Sequence, residues 1–304
     1  MLNKKTFGHR KPSRRSAFSL IELSIVLIII GLLISGIIGG ASLIKSATLR
    51  SVMTEARGYN IATSAFYTKY NTLPGDYNAG LIGNGITLAN GVGDVGNGDG
   101  VISYVNGIGA SSNAENQIAI KQLYADGSLD ISMFGTYPYL STVIPQQAAG
   151  AVAALSPRTA LPGGKLKGSG WFFDNYQSNG AGSDNANFNV AVLSGGVNAK
   201  TYVASTALNA AGSSAAAVDS WTVLSVVPIL TPQDARSIDV KMDDGLPATG
   251  TIRSAAASLG AANTAAASCT SDTTPASAPA AADTYNLTAS TVNCALAFRI
   301  DTTS

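Results

Sequence analysis

The sequence predicts an α+β protein in which a long N-terminal helix packs on a C-terminal antiparallel sheet with long loops. Residues 18–44 are apolar apart from a single charged residue, Glu22. Apolar residues then recur every three to four positions as far as Leu73, which is the spacing of one helix face. Short segments rich in aromatic and β-branched residues follow in the second half of the chain, as is typical of strands.

The long helix is predicted to run from residue 18 to about residue 70. Its first part, residues 18–44, exceeds the roughly 20 apolar residues that a transmembrane helix needs. Residues 45–72 continue it as an amphipathic half with one apolar stripe. Pro74 and Gly75 follow, and proline cannot continue a helix.

The segment before the helix, residues 1–17, is basic. It has six Lys and Arg residues and no acidic residue, so the positive-inside rule places it in the cytoplasm. The apolar run is longer than the core of an ordinary secretory signal, which has about 7–15 residues. Cleavage in front of the run, between Ala17 and Phe18, would place a new amine four residues from Glu22.

Glu22 is the residue on which a functional interpretation depends. An ionised carboxylate costs about 2.5–3.5 kcal/mol at the centre of a bilayer, so such a residue normally has a partner. The alternative is a position near the membrane edge, where headgroups and water reach the carboxylate and no function is required.

Residues 18–22, FSLIE, lie between a short basic leader and an apolar helix. This arrangement resembles the N-terminal signal of bacterial type IV pilins and pseudopilins. The resemblance implies that a prepilin peptidase cuts between Ala17 and Phe18, that the new amine of Phe18 is N-methylated, and that Glu22 is the assembly glutamate. Members of this family usually have Gly before the cut, where this chain has Ala17.

The resemblance also implies partners and a location. The partners are identical or related pilin subunits, the prepilin peptidase and the inner-membrane assembly machinery. The chain is expected first in the bacterial inner membrane as a single-pass protein with a cytoplasmic N-terminus, and then in an extracellular or periplasmic filament. Family members tend to have helix-weakening residues in the membrane segment, and Gly31, Gly36, Gly39 and Gly40 occupy such positions. Close packing of neighbouring helices would explain the same glycines.

The head, residues 73–304, is predicted to begin with a glycine-rich loop, residues 75–109, because eleven glycines in this stretch favour turns. Thr231 followed by Pro232 is typical of a helix start. Two short helices and four strands are expected: helices at 115–129 and 232–242, and strands at 170–176, 188–193, 221–227 and 296–300.

Two cysteines, Cys269 and Cys294, enclose part of a segment rich in Ala, Ser and Thr. In an exported chain an even pair of cysteines indicates a disulfide. Closing a loop of this length is worth about 3 kcal/mol, and many pilins close a C-terminal loop in this way. Two separately buried thiols are the alternative.

The glycine-rich loop has a weak resemblance to a calcium-binding loop. Asn97 and Asp99 occupy positions that match an EF-hand. Asp94 is one residue out of register, and Asn106 stands where the final Glu belongs. Ordinary Asn/Asp-Gly turns explain the same residues, so Ca²⁺ at Asp94, Asn97 and Asp99 is the alternative, and no other cofactor is expected.

The balance of charged residues and the residue types present limit the class of function that the sequence supports. The chain has 19 basic and 18 acidic residues, and removal of the six basic residues of the leader would leave 13 against 18, a net charge of −5. Beyond the membrane segment the basic residues are scattered along the sequence, which does not support a nucleic-acid partner. The one histidine, His9, lies in the leader, and no serine-hydrolase or phosphate-loop motif occurs.

We therefore expect a structural protein and not an enzyme. The sequence predicts a subunit of a type IV pilus-like filament that polymerises through its hydrophobic helix. A pseudopilin of a type II secretion system is the near alternative. A signal-anchored surface hydrolase or binding domain is the alternative from a different class.

Overall fold

A computed structural model of the chain describes residues 19–77, 81–82, 86–87, 96, 98, 100–102, 115–129, 151–152, 161–177, 187–198, 200–201, 225–254, 269–271 and 283–300. The chain forms two compact units, residues 1–47 and residues 48–304. The described elements are, in chain order, α1 (Leu20–Tyr70), β1 (Leu81–Ile82), β2 (Ile86–Thr87), α2 (Glu115–Ala125), β3 (Ala151–Val152), β4 (Gly170–Gln177), β5 (Asn187–Ser194), β6 (Val197–Asn198), β7 (Lys200–Thr201), β8 (Ser225–Val226), α3 (Pro232–Met242), β9 (Ile252–Ser254) and β10 (Leu296–Arg299).

Helix α1 is continuous over 51 residues, which confirms the predicted long helix. It ends at Asn71, whose φ of 54° is left-handed and whose N–H donates to the carbonyl of Tyr67 at 2.7 Å. Asparagine tolerates this conformation better than most residues do. Pro74 follows three residues later, so the chain leaves the helix where the sequence predicts.

The main sheet has four antiparallel strands in the order β4-β5-β10-β9. Three of its strands were predicted, and the fold class is confirmed. Strand β9 was missed because its three residues, Ile-Arg-Ser, show no alternation of apolar and polar side chains. Pairing with β10 decides its conformation. The strand predicted at 221–227 is present only as β8, and residues 221–224 lie outside the described part of the chain.

The head part of α1 packs on this sheet through aromatic side chains. The ring of Tyr59 lies 5.0 Å from that of Trp171 and 5.8 Å from that of Phe173. Trp171 in turn lies 5.5 Å from Phe298. All four side chains are buried. The amphipathic stripe of α1 and the aromatic residues of β4 and β10 therefore form one core.

Helix α3 and the cysteines complete the head. Thr231 Oγ1 accepts a hydrogen bond from the N–H of Asp234 at 3.3 Å, and Pro232 occupies the first turn, as the sequence predicts. Cys269 and Cys294 form a disulfide with their Cα atoms 5.1 Å apart. The N–H groups of Ile229 and Leu230 both donate to the carbonyl of Cys294. The disulfide thus joins two backbone segments next to the start of α3.

Candidate assembly site

The candidate site begins at the first residues of α1, where Ser19 precedes the helix and Glu22 lies in its first turn. Glu22 Oε2 accepts a hydrogen bond from the N–H of Ser19 at 2.9 Å, and Ser19 Oγ accepts one from the N–H of Ile21 at 3.4 Å. Glu22 therefore makes the glutamate half of a capping box, while Ser19 caps the helix through the N–H of its second residue, Ile21. The carboxylate of Glu22 therefore accepts a hydrogen bond from a backbone N–H that has no partner within the helix.

The capping role of Ser19 is a feature that sequence reasoning missed. The pattern Ser-Leu-Ile-Glu at residues 19–22 matches the Ser-x-x-Glu signal of a capping box, and this signal could have revealed it. A glutamine in place of Glu22 could accept the same hydrogen bond, since capping boxes use either residue. Capping and negative charge are therefore separable properties of this position.

Both predicted cleavage residues, Ala17 and Phe18, lie outside the described residues. The sequence still limits which cations can pair with Glu22. The first basic residue after it is Lys45, about 35 Å along a helix at 1.5 Å per residue. A positive partner for Glu22 must therefore come from the N-terminal side of the same chain or from another molecule.

The apolar half of α1 provides the exposed surface of the candidate assembly site. Its Leu, Ile and Val side chains are exposed, from Leu20 at 88 % to Ile44 at 70 %. Among the described residues, α1 is the one helix long and apolar enough to cross a membrane. A side-chain surface of this kind is covered by lipid or by other apolar helices.

The four glycines of the apolar half do not interrupt α1. A Cβ at Gly31, Gly36, Gly39 or Gly40 would meet no atom of the described chain within 4 Å. Contacts with the described residues therefore do not explain glycine at these positions. Close packing against a second helix and loosening of α1 during assembly are both compatible with glycine at these positions.

The predicted calcium residues, Asp94, Asn97 and Asp99, lie outside the described residues, and Ca²⁺ stays a prediction. Described glycines of the same loop contact Asp76, a buried residue. The N–H of Gly98 donates to Asp76 Oδ1 at 2.6 Å, and that of Gly100 donates to Oδ2 at 2.8 Å. The carboxylate of Asp76 thus holds Gly98 and Gly100 of the glycine-rich loop, a role that the sequence had not indicated.

A second group of carboxylates follows α3. Oxygens of Asp239, Asp243 and Asp244 all lie within 4.8 Å of one another. Asp243 accepts hydrogen bonds from the N–H groups of Thr251 and Ile252, while Asp244 accepts one from the N–H of Leu246 at 2.8 Å. Asp243 and Asp244 therefore act as turn residues.

Asp239 differs because it is fully buried. Burial raises the pKa of Asp239 to about 7, against the lowering effect of hydrogen bonds from Tyr285 and Gly245. The tyrosine hydroxyl lies 2.8 Å from Asp239 Oδ2. Burial, with the neighbouring carboxylates, raises the pKa of Tyr285 well above its usual value. Tyr285 is therefore the proton donor in this bond.

Comparison with known protein families identified a match at the N-terminus. Residues 12–38 match the family described as the prokaryotic N-terminal methylation motif. The matched stretch contains the Ala17–Phe18 bond, Glu22 and most of the apolar half of α1. No curated protein and no solved structure matched the chain.

The match confirms the resemblance seen in the sequence. The chain carries a prokaryotic N-terminal methylation motif, consistent with the prepilin signal of type IV pilins and pseudopilins. Such a signal supports a pilin-like or pseudopilin-like substrate of prepilin peptidase. Together with the apolar part of α1, it is consistent with a membrane-anchored single-pass protein.

Proposed function

We propose that this chain is a structural subunit of a type IV pilus-like filament. Prepilin peptidase cleaves it between Ala17 and Phe18, the new amine is methylated, and subunits polymerise through the apolar half of α1. The observation that carries the proposal is that the methylation motif, residues 12–38, coincides with the start of an exposed apolar helix. A filament covers that surface when the protein leaves the lipid.

Glu22 has a defined part in this process. In a single subunit its carboxylate accepts the N–H of Ser19 at 2.9 Å, which supports its burial in the membrane before assembly. In a filament, the amine of Phe18 from an incoming subunit pairs with Glu22 of its neighbour. The attraction between the two charges is much stronger in an apolar helix bundle than in water. This pairing sets the axial register of the subunits.

The experiment compares three substitutions at the start of α1 in cells that make the filament. Glu22→Leu removes the charge and the hydrogen-bond acceptor. Glu22→Gln removes the charge but retains an acceptor for the N–H of Ser19. Ser19→Ala retains that N–H and the charge of Glu22, and so serves as the matched control. Each variant is checked for cleavage by N-terminal sequencing and for fibre incorporation by shearing and blotting.

We expect all three variants to be inserted and cleaved between Ala17 and Phe18. Both Glu22 variants should be lost from the sheared fibres, whereas Ser19→Ala should be incorporated. Incorporation of Glu22→Gln with loss of Glu22→Leu would assign capping alone to this residue. An N-terminus other than Phe18, or the absence of fibres containing the wild-type chain, would contradict the proposed function.

A further inference from the structure

The turn that follows Tyr285 carries the acceptor signal for N-linked sugars. Residues 286–288 are Asn-Leu-Thr, which match the signal Asn-x-Ser/Thr with a residue other than proline in the middle. Asn286 is the one asparagine in the chain that has Ser or Thr two positions later. The signal is meaningful in an exported protein when it lies on the surface, so the position of this turn in the fold is decisive.

The signal lies in a β-turn on the surface of the head. The N–H of Ala289 donates to the carbonyl of Asn286 at 3.2 Å, which closes the turn. Leu287 is 47 % exposed and Thr288 is exposed as well, while Asn286 is partly exposed. A modifying enzyme can therefore reach the signal without unfolding the head.

The turn is held at both of its flanks. The N–H of Asn286 donates to the carbonyl of Cys269 at 2.9 Å, next to the disulfide with Cys294. The side-chain amide of Gln233, in the first turn of α3, donates to the carbonyl of Leu287 at 2.7 Å. Two parts of the head therefore present the signal in one defined conformation.

The side chains of the signal favour chemistry at the amide nitrogen of Asn286. Asn286 Oδ1 accepts hydrogen bonds from the hydroxyl of Thr288 at 2.6 Å and from the N–H of Thr288 at 3.3 Å. Nδ2 makes no hydrogen bond to any residue that the structure describes. Donors on an amide oxygen stabilise the form in which the nitrogen has lost a proton and the negative charge lies on the oxygen. Thr288 thus promotes attack by Nδ2.

We propose that Asn286 is glycosylated on Nδ2. The co-reactant is a sugar whose C1 carries a phosphate or diphosphate leaving group. Nδ2 forms a bond to C1 as the bond between C1 and the phosphate oxygen breaks. The phosphate leaves with the electron pair, and Nδ2 gives up one proton to a base of the transferase. Nothing is oxidised or reduced in this step.

Glycosylation of Asn286 goes beyond the proposed function and does not depend on it. The transferase needs access to the head, whether or not the chain enters a filament. A sugar on Nδ2 adds a bulky, solubilising group beside the exposed side chain of Leu287. Modification and assembly can therefore be measured separately on the same chain.

The test uses the full-length chain purified from the cells that make it. After reduction, trypsin releases residues 254–299 as one peptide, because no Lys or Arg lies between Arg253 and Arg299. Mass spectrometry measures any added sugar, and fragmentation of the peptide assigns the sugar to a residue.

Three variants made in the same cells test the signal. Asn286→Asp retains an oxygen acceptor for the N–H and hydroxyl of Thr288 but lacks the amide nitrogen. Thr288→Ala removes the hydroxyl. Thr288→Ser retains a hydroxyl and the signal, and so is the matched control.

We expect the wild-type and Thr288→Ser peptides to carry the sugar on Asn286, and the Asn286→Asp and Thr288→Ala peptides to lose it completely. All variants should retain the disulfide between Cys269 and Cys294, which shows that the head is folded. An unmodified wild-type peptide would overturn the inference, and so would a sugar that persists on a Ser or Thr of the Asn286→Asp peptide. Neither result affects the proposed function, which depends on the mature N-terminus and on fibre incorporation.

Discussion

The hydroxyl of Tyr285 donates a 2.8 Å hydrogen bond to Oδ2 of the buried Asp239. Tyr285 belongs to the segment that the Cys269–Cys294 disulfide closes, and Asp239 belongs to α3. The N–H of Gly245 donates to the other carboxylate oxygen at 3.1 Å. One side chain therefore joins three parts of the C-terminal head, and its protonation state affects all of them.

The stability of the head should fall as pH rises from about 4 to about 7. The pKa of Asp239 is raised from 3.8 to about 7 in the folded chain, so the folded state binds a proton that the unfolded state has released over this range. Asp239→Asn should remove this part of the pH dependence. Thermal unfolding of the full chain in detergent at pH 5 and pH 8 measures it, and we expect wild type to melt at least about 2 °C higher at pH 5.

A second variant tests the direction of this effect. The hydrogen bond from Tyr285 lowers the pKa of Asp239, so Tyr285→Phe should extend the loss of stability to higher pH. Two results together would refute the role of Asp239 in this pH dependence. The wild-type melting temperature would be equal at pH 5 and pH 8, and Asp239→Asn would leave the dependence of the melting temperature on pH unchanged.

Cys269 and Cys294 should be linked in the exported protein. Non-reducing peptide mapping should recover one linked peptide pair, and reduction should destabilise the head by about 3 kcal/mol, because the bond closes a loop of 25 residues. The Cys269→Ser/Cys294→Ser variant should show the same loss and no response to reductant. Two free thiols in fibre-derived material would contradict this prediction.

Glu55→Ala should destabilise the head by about 2–4 kcal/mol, since it leaves the N–H of Lys165 and the indole N–H of Trp171 without their buried acceptor. Thr54→Ala is the matched control, because the exposed Oγ1 of Thr54 donates to the carbonyl of Arg50 at 3.0 Å, within the same helix. It should change stability by less than about 0.5 kcal/mol. Denaturant unfolding followed by tryptophan fluorescence compares the two, and equal effects would argue against a specific role for Glu55.

Two glycine substitutions should have opposite effects. A Cβ on Gly96 would lie 2.2 Å from the carbonyl oxygen of Gly75, whereas a Cβ on Gly58 would meet nothing within 4 Å of it in the described chain. Gly96→Ala should therefore destabilise the head by about 1–3 kcal/mol. Gly58→Ala, in the middle of α1, should stabilise it by about 1 kcal/mol. Thermal unfolding measures both changes, and destabilisation by Gly58→Ala would indicate a contact that the single chain does not contain.

Local patterns in the sequence determined the elements that depend on near neighbours. The apolar run and the spacing after it predicted α1, Thr231 and Pro232 predicted the start of α3, and aromatic segments predicted β4, β5 and β10. Helix periodicity, capping and turns act over a few residues, so composition and order suffice to indicate them. The motif at residues 18–22 likewise pointed to the methylation signal.

Only the tertiary structure decided which distant side chains meet. Asp239 and Tyr285 are 46 positions apart, and Glu55 and Lys165 are 110 positions apart; no local spacing connects either pair. Strand β9 exists because β10 pairs with it. Burial and pairing of this kind depend on how the helices and the sheet pack, and the sequence alone does not state that arrangement.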